Sequence, residues 1–394
     1  MSERYNAENE HGATPFHLVS RGEYNSQEHG LAIAQLLLGR GADPNARQKN
    51  GFIPLHWAAY KGRLEIAQLL LDHGANLKAE NEHGATPLHL VSQGDYNSEE
   101  LGVGIAQLLL GHGADPNARQ KNNRIPLHWA AYKGRLEIAR LLLDHGANPI
   151  AEEDDGATPL HEVSRGEYSS QELGVGIARL LLERGADPNA RQKNGFIPLH
   201  WAAYKGRLKI AQLLLGHNPN PNAEIVWGEK PLNKVSQDEY SSQEHGVAIA
   251  RPLREHGMDV DARCKVHATA LHYAALAGNS DIVQLLLEHG ADPNAENDHG
   301  RTPLHSLSRG KDKSHDRIGI ARLLLESGAG VNAKEKNSWT LLHSAVFNMK
   351  LEIVQVLLFP SFIKNPFMFC DHRYCLTMVQ MQMRRTMRAR PHYT

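Results

Sequence analysis

Short apolar segments recur along the chain in pairs, and each is spaced as one face of a helix. Ile66, Leu69 and Leu70 stand at positions i, i+3 and i+4, which indicates the buried side of an α-helix. A few residues earlier, Pro54 opens another short apolar segment, and a proline at the first position of a helix loses no hydrogen bond. Gly74 then stands where a helix needs a left-handed cap. The pattern therefore predicts pairs of short helices joined by polar turns.

The paired segments form an internal repeat, marked by a four-residue motif whose second position recurs in steps of 39 and 33 residues in alternation, the last step being 38. The longer member of each pair carries six extra residues between its two helices, so the duplicated unit is a pair of 72 residues. The motif copies are Thr14–His17, Ile53–His56, Thr86–His89, Ile125–His128, Thr158–His161, Ile197–His200, Lys230–Asn233, Thr269–His272, Thr302–His305 and Thr340–His343.

A 33-residue unit with Thr-Pro-Leu-His at its start resembles the ankyrin repeat family. The resemblance implies an all-α ankyrin-repeat solenoid of helix-turn-helix units with short β-hairpin fingers. We expect about ten repeats in residues 1–355, the first entered in mid-repeat. A weak repeat is expected near residues 218–256, because Asn233 replaces the motif histidine and Pro252 falls inside the second helix.

Histidine is frequent, with 24 residues, and the number alone could suggest a metal site. The motif histidine recurs once per repeat, and neighbouring repeats are about 8–10 Å apart, which is too far to share an ion. The resemblance implies instead that His56 and its equivalents form hydrogen bonds within and between repeats. A second set lies in the last turn of the second helix, where a partial positive charge suits the helix dipole; it comprises His73, His112, His145 and His289.

Composition excludes several classes of protein. Lys and Arg number 43 against 44 Asp and Glu, so a basic excess for nucleic acid is absent. No apolar run approaches the ~18 residues of a membrane span, and Met1 is not followed by an apolar signal segment. Three cysteines fit a reducing compartment. We therefore expect a cytoplasmic or nuclear protein that is neither secreted nor transmembrane.

Motifs that carry chemistry are missing from the sequence. We find no P-loop, no dinucleotide-binding glycine motif, no H-E-x-x-H and no C-x-x-C. No serine or cysteine stands in the context of a nucleophile. The sequence therefore predicts a protein that is not an enzyme, with no catalytic residue, cofactor or metal.

The ankyrin resemblance implies contact with a protein partner through the concave face, by finger-tip residues and by the two residues after the paired alanines. Tyrosine next to a cation, with scattered phenylalanine, is also typical of interface hot spots. The predicted function is a non-enzymatic scaffold or adaptor. Three tryptophans that follow the motif histidine, Trp57, Trp129 and Trp201, are expected to pack against the next helix. The candidate contact residues are Phe52, Tyr60, Lys61, Arg124, Tyr132, Lys133, Phe196, Tyr204 and Lys205.

Two further patterns allow two interpretations each. A tyrosine occupies the same place in four of the inserted loops, and it either covers its own loop or contributes to an aromatic ridge for a partner. Successive fingers alternate between acidic and basic residues, which favours either weak finger-to-finger ion pairs or a striped surface that selects a partner. The loop tyrosines are Tyr24, Tyr96, Tyr168 and Tyr240.

An alternative function is the ligand-sensing half of a larger NTPase-switch protein of the NACHT type. Residues 7–12 match residues 79–84, so the chain begins inside a repeat and the helices that should precede it are absent. Near-identical tandem blocks resemble the sensing arrays of such proteins. On this interpretation the N-terminal part lies outside the given sequence.

The final 39 residues, 356–394, match nothing upstream. We predict that they are an aberrant, disordered tail: a retained intron followed by an ankyrin repeat in a shifted frame. An intron from the GT of Val356 to an AG in Arg373 would remove 53 nucleotides, which is not a multiple of three. Reading on in the shifted frame permits a second-helix end, a finger and a new motif. The alternative is a genuine basic, Met-rich tail, and a transcript that reads colinearly through Thr394 would establish it.

Overall fold

The computed structural model describes residues 5–22, 27–96, 98–237, 243–310 and 317–358, and within them it forms twenty helices. In chain order they are α1 (Pro15–Arg21), α2 (Gln27–Gly39), α3 (Pro54–Lys61), α4 (Leu64–Asp72), α5 (Pro87–Gln93), α6 (Glu99–Gly111), α7 (Pro126–Lys133), α8 (Leu136–Asp144), α9 (Pro159–Arg165), α10 (Gln171–Glu183), α11 (Pro198–Tyr204), α12 (Leu208–Leu215), α13 (Pro231–Ser236), α14 (Gln243–Glu255), α15 (Ala270–Ala277), α16 (Ser280–Glu288), α17 (Pro303–Arg309), α18 (Arg317–Glu326), α19 (Leu341–Phe347) and α20 (Leu351–Leu358).

The helices fall into two compact units, with the boundary between Ala270 and Leu271. In the first unit the odd-numbered helices from α1 to α13 pack one against the next, and the even-numbered helices from α2 to α14 form a second layer. In the second unit α16, α18 and α20 pack in series, and α17 packs against α19. Each unit is thus built of the helix pairs that the sequence predicts.

Small and branched apolar residues fill the space between the layers. Ala58 and Ala59 of α3 are fully buried, and their size lets neighbouring first helices approach closely. Ile66 and Leu70 supply the buried face of α4. Burial of such side chains contributes about 1.5–3 kcal/mol each, and a repeat gains it only when a neighbour stacks on it.

In six of the repeats the motif histidine joins the first helix to the next finger. His56 Nδ1 accepts the backbone N–H of Ile53 at 3.1 Å, and its Nε2–H donates to the carbonyl of Ala85 at 2.9 Å. The predicted hydrogen bonds within and between repeats are therefore confirmed. The same Nε2 contact runs from His17, His89, His128, His161 and His272 to the carbonyls of Phe52, Arg124, Ala157, Phe196 and Arg301.

The second histidine set lies where the sequence predicts it, at the ends of second helices. The ring Nδ1 of His73 lies 2.8 Å from the carbonyl oxygen of Leu69, four residues earlier. His112 and His145 repeat the contact at 2.8 and 2.9 Å. These rings cap carbonyl groups that the helix leaves without an internal partner.

The fingers are tight turns rather than paired strands. In the finger after α2, Gln48 N–H donates to the carbonyl of Phe52 at 2.8 Å and closes the turn. Adjacent fingers are linked by single bonds such as Glu82 N–H to the carbonyl of Asn50, at 2.9 Å. Among the described residues, extended pairing amounts to one isolated bridge between Lys334 and Thr340. The described fingers thus reverse the chain direction as a hairpin does, but they contain no regular strands.

The inserted loop of the odd repeats is closed by a tyrosine from within. The Tyr96 hydroxyl donates to the carbonyl of Val91 at 3.1 Å, and the Arg135 guanidinium lies 4.4 Å from the ring centre. Tyr168 repeats both contacts with Val163 and Arg207. Burial raises the pKa of Tyr96 to about 12.

These contacts fit a tyrosine that covers its own loop, at the two positions the structure describes. The same arginines hold the loop itself, because Arg135 donates to the carbonyl of Gly94 at 2.8 Å. Tyr24 and Tyr240 lie outside the described residues.

The repeat that contains α13 and α14 has unsatisfied polar groups at its junction. Among the described residues, the buried Nε2 of His200 and Nδ2 of Asn233 have no hydrogen-bond partner. Pro252 lies inside α14, which nevertheless continues to Glu255. At the end of the array α20 extends to Leu358, three residues past the predicted limit of the repeats at 355, and Val356 is buried. The rest of the predicted tail, residues 359–394, lies outside the described residues.

Candidate functional site

Three copies of one aromatic arrangement lie on the layer of first helices, in every second repeat. In the first copy, Phe52 from the finger lies 5.0 Å from Trp57, ring centre to ring centre, and Trp57 meets Tyr60 edge-on at 6.4 Å. All three rings are partly exposed. We call this aromatic set 1. Set 2 consists of Trp129 and Tyr132, and set 3 of Phe196, Trp201 and Tyr204, with matching distances.

The tryptophans are held by their own fingers. The Trp57 indole N–H donates to the side-chain oxygen of Gln48 at 3.0 Å, and Trp129 and Trp201 repeat this bond with Gln120 and Gln192. We expected these rings to pack against the next helix. Each ring contacts its own finger and the following tyrosine, and an arginine of the preceding first helix stacks on Trp57 and on Trp201. Packing against the next helix stays a prediction.

The candidate lysines stack on the candidate tyrosines. Lys61 Nζ lies 5.3 Å from the Tyr60 ring centre, and Lys133 lies 5.4 Å from that of Tyr132. Lys205 repeats the contact with Tyr204 at 5.7 Å. Such cation–π contacts contribute about 0.5–1 kcal/mol at exposed sites. Six of the nine candidate residues thus form three tyrosine–lysine pairs.

The inserted loops border these pairs, which sequence reasoning did not anticipate. The backbone N–H of Asp95 donates to the carbonyl of Tyr60 at 2.9 Å, and its carboxylate pairs with Lys61 at 2.9 Å. Glu167 takes the same place beside Tyr132 and Lys133. These two loops therefore add exposed carboxylates, Asp95 and Glu167, to the rim of the aromatic surface.

Arg124 occupies the position that Phe52 has in set 1, and its guanidinium is already paired. It bonds both carboxylate oxygens of Glu153 and lies 3.2 Å from Glu162, while it stacks on Trp129 at 4.8 Å. Arg165 bonds the same two glutamates. These four residues form a charge cluster, named here the Arg124 cluster, in which two positive and two negative groups balance.

Burial sets the protonation of the Arg124 cluster. Glu162 is fully buried, and burial raises its pKa to about 7 against the pull of the two arginines. Burial also acts on Glu153, but its hydrogen bond with Arg124 and the nearby guanidinium charges lower the pKa of that carboxyl. Glu153, Glu162 and Arg165 were not among the predicted site residues. Only alignment of the 72-residue blocks would have shown them changing together.

The charged fingers are linked mainly through the backbone. Arg47 donates to the backbone carbonyl of Glu80 at 2.5 Å, and Arg119 donates to that of Glu152 at 3.3 Å. Arg191 makes the same contact with Glu224. Between these residues the interpretation as ion pairs does not hold, since arginine-to-carbonyl bonds leave the glutamate carboxylates exposed. Ion pairs do link other fingers, at Arg124 with Glu153 and at Arg301 with Glu335.

The described residues contain no group of three or more His, Cys, Asp and Glu side chains arranged to hold a metal ion. Within the same part of the chain, no helix combines the length and apolarity that a membrane span requires. The described cysteine, Cys264, is buried.

Comparison with known proteins covers almost the whole array. Family models described as ankyrin repeats in three copies match residues 23–101, 98–192, 199–297 and 239–335. A model described as ankyrin repeats in many copies matches residues 175–215 and 313–358. Among solved structures, the human ASB11 ankyrin repeat domain superposes with a TM-score of 0.51 at 25% identity, over 60% of this chain and 97% of that chain.

Curated relatives share only part of their length with the chain. Potassium channel AKT3 of Oryza sativa subsp. japonica is 44% identical over 62 residues, which are 16% of this chain and 7% of the channel. Ankyrin repeat and SOCS box protein 16 of Mus musculus is 35% identical over 106 residues, 26% of this chain and 23% of that protein. The chain thus spans less than a quarter of either relative. The matched models cover far more than half of its residues, and the chain belongs to the ankyrin repeat family.

Proposed function

We propose that the chain is a non-enzymatic scaffold or adaptor that binds a protein partner across the three aromatic sets. The observation that carries the proposal is the threefold recurrence of a partly exposed Tyr–Lys pair beside a fixed indole, at Tyr60, Tyr132 and Tyr204. Tyrosine and tryptophan dominate the binding energy of protein interfaces, and ankyrin repeats generally serve protein–protein interaction.

The surface is prepared for binding by its own contacts. Each indole is fixed by a glutamine, as Trp57 is by Gln48, so little side-chain entropy is lost when a partner covers it. Within set 2, Arg124 supports Trp129 and is itself held by carboxylates. We assign the contacts to the phenylalanines, tyrosines and lysines, with Arg124 shaping the middle of the surface. The scarcity of cysteine favours a cytoplasmic or nuclear place for this binding.

The test is a quantitative capture experiment with the full chain as bait. Changing Tyr60, Tyr132 and Tyr204 together to Ala removes three exposed contacts and leaves the helix starts intact. The matched control changes three exposed residues of the second helices, Gln35, Gln68 and Gln107, to Ala.

We expect the tyrosine variant to lose the proteins that wild type captures, while the glutamine variant retains them. Circular dichroism of both variants should match wild type. Retained capture by a folded tyrosine variant would overturn the assignment of this face.

A further inference from the structure

A cavity of about 370 Å³ lies between aromatic sets 1 and 2 on the layer of first helices. Its apolar walls come from Phe52, Leu90 and Trp129, and Gln93 and Gln120 add amide groups. Lys121 stands at its finger side. The cavity therefore offers an indole, a phenyl ring, an aliphatic wall and two amide groups, with the cationic Lys121 at its edge.

The same place in the two flanking blocks is filled by an arginine of the protein itself. The Arg21 guanidinium lies 5.1 Å from the Trp57 ring centre, and the Arg165 guanidinium lies 5.4 Å from that of Trp201. In the middle block the equivalent residue is Gln93, whose side chain is shorter and uncharged. Trp57 is thus contacted by Phe52 and Arg21, whereas Trp129 has Arg124 in place of the first and Gln93 in place of the second.

The residues that line the cavity match those around Arg21, but Arg124, which stacks on Trp129 beside the cavity, stands at the position of Phe52 beside Trp57. Every cavity residue from the middle block has an identical residue 72 positions earlier, except that Gln93 corresponds to Arg21. The matching pairs are Asn9 and Asn81, His11 and His83, Ala13 and Ala85, Leu18 and Leu90, Gln48 and Gln120, Lys49 and Lys121, Asn50 and Asn122, and Trp57 and Trp129. The lysine at the finger does not exclude a guanidinium, because Lys49 stands at the equivalent position beside Arg21.

We propose that this cavity binds an arginine side chain of a partner polypeptide, which stacks on Trp129 as Arg21 stacks on Trp57. The methylene groups would lie along Leu90 and Phe52, and the Gln93 amide oxygen can accept a guanidinium N–H. A planar, delocalised cation stacks on an indole better than an ammonium group does. The inference rests on the proposed function, which places a protein partner on this face. It adds that one contact of the partner is an arginine side chain.

The experiment uses the full chain with ¹⁵N-labelled tryptophan and follows the indole N–H signals. The probe is the capped peptide Gly-Ser-Arg-Ser-Gly, and peptides with citrulline or leucine in the central position are the controls. Trp129→Phe assigns the signal. We expect a saturable shift of the Trp129 signal with the arginine peptide and about tenfold weaker binding of both controls.

Two substitutions give the sharper test, because each installs a residue that a neighbouring block already carries. Gln93→Arg supplies the cation from within and should abolish the shift at Trp129. Arg21→Gln should create a second saturable site, seen at the Trp57 signal. Dispersed indole signals of wild-type pattern show that both variants are folded.

The proposal is overturned if the arginine peptide gives no saturable shift, if citrulline or leucine binds equally well, or if Gln93→Arg leaves the shift unchanged. Its failure is separable from that of the proposed function. If the cavity does not bind the arginine peptide but partner capture still depends on the three tyrosines, only the proposed arginine site is wrong. If the cavity binds the peptide but capture does not depend on the tyrosines, the assignment of the tyrosines as partner contacts is wrong.

Discussion

His56 of one repeat donates its Nε2–H to the carbonyl of Ala85 in the next finger, at 2.9 Å, inside a fully buried contact. The bond requires a neutral ring, because Nδ1 accepts the backbone N–H of Ile53. Burial accordingly lowers the pKa of His56 to about 4. The stacking of one repeat on the next thus depends on an imidazole that has to stay unprotonated.

Because these histidines are neutral in the folded protein, we expect stability to begin to fall at a pH well above the pH at which carboxyl groups titrate. The unfolded chain binds protons near pH 6.5 but the folded chain only near 4, so stability is complete above 6.5 and is lost as the pH falls towards 4. A shift of this size corresponds to roughly 3 kcal/mol per ring. The rings with a pKa of about 4 are His56, His89, His128 and His161.

Urea unfolding followed by circular dichroism between pH 7 and 4.5 measures the effect. The midpoint should fall steeply over this interval. A flat profile down to pH 5 would contradict the assignment of neutral, bridging histidines.

In the Arg124 cluster, replacing one residue should lower the stability of the protein, whereas replacing all four together should not. Glu162→Leu leaves two half-buried arginines with one carboxylate and should cost up to about 3 kcal/mol of unfolding free energy, the lower end of the range for a buried ion pair. Leucine, phenylalanine, asparagine and glutamine stand at the four equivalent positions one block earlier. The combined variant Arg124→Phe, Glu153→Asn, Glu162→Leu and Arg165→Gln should therefore recover wild-type stability or exceed it.

Equilibrium unfolding of both variants decides the point. A single variant as stable as wild type would mean that Glu162 is not held by the two guanidinium groups.

The loop tyrosines predict a contrast between two glycines of α6. A Cβ atom on Gly102 would lie 2.3 Å from the Tyr96 ring, whereas one on Gly111 would meet nothing within 4 Å. Gly102→Ala should therefore destabilise the protein by about 1–3 kcal/mol. Gly111→Ala should stabilise it by up to about 1 kcal/mol.

Thermal unfolding of the two alanine variants measures the difference. Equal effects would show that Tyr96 does not pack on the second helix.

The repeat near residues 218–256 should open first. Asn233 stands in place of the motif histidine that links other repeats, and Pro252 removes a hydrogen bond from α14. In a solenoid one poor unit uncouples its flanks. Hydrogen exchange should be early in this segment, with residues of about 1–217 and 257–355 unfolding separately.

A variant in which the weak repeat regains the usual residues provides the control for this prediction. Asn233→His with Pro252→Leu introduces residues found at equivalent positions and should merge the two transitions. Uniform protection and a single transition in the wild type would refute the weak junction.

Regular features of the chain could be predicted from the sequence because they recur. Pro54, the paired alanines and Gly74 predict the helix pair, and the ankyrin resemblance implies the hydrogen bonds of the motif histidine. Among the described residues the fingers form no regular strands beyond the Lys334–Thr340 bridge, because each is a tight turn closed by a few local backbone bonds.

Contacts between residues of different repeats could not be predicted in the same way. Arg124 and Glu162 are 38 residues apart and come from different repeats, so neither pattern nor spacing links them. The same holds for Arg135 on Tyr96, where the partner lies in the preceding inserted loop. Only packing brings such pairs together.

The most direct test of the binding surface is site-specific photo-crosslinking in cells. A benzoylphenylalanine placed singly at Tyr60, Tyr132 or Tyr204 reports which polypeptide lies against the first helices. The same group at Gln35, Gln68 or Gln107 reports the second helices. The account predicts one common crosslinked partner from the three tyrosine positions and none of it from the glutamine positions, whereas the same partner crosslinked from the second helices alone would contradict it.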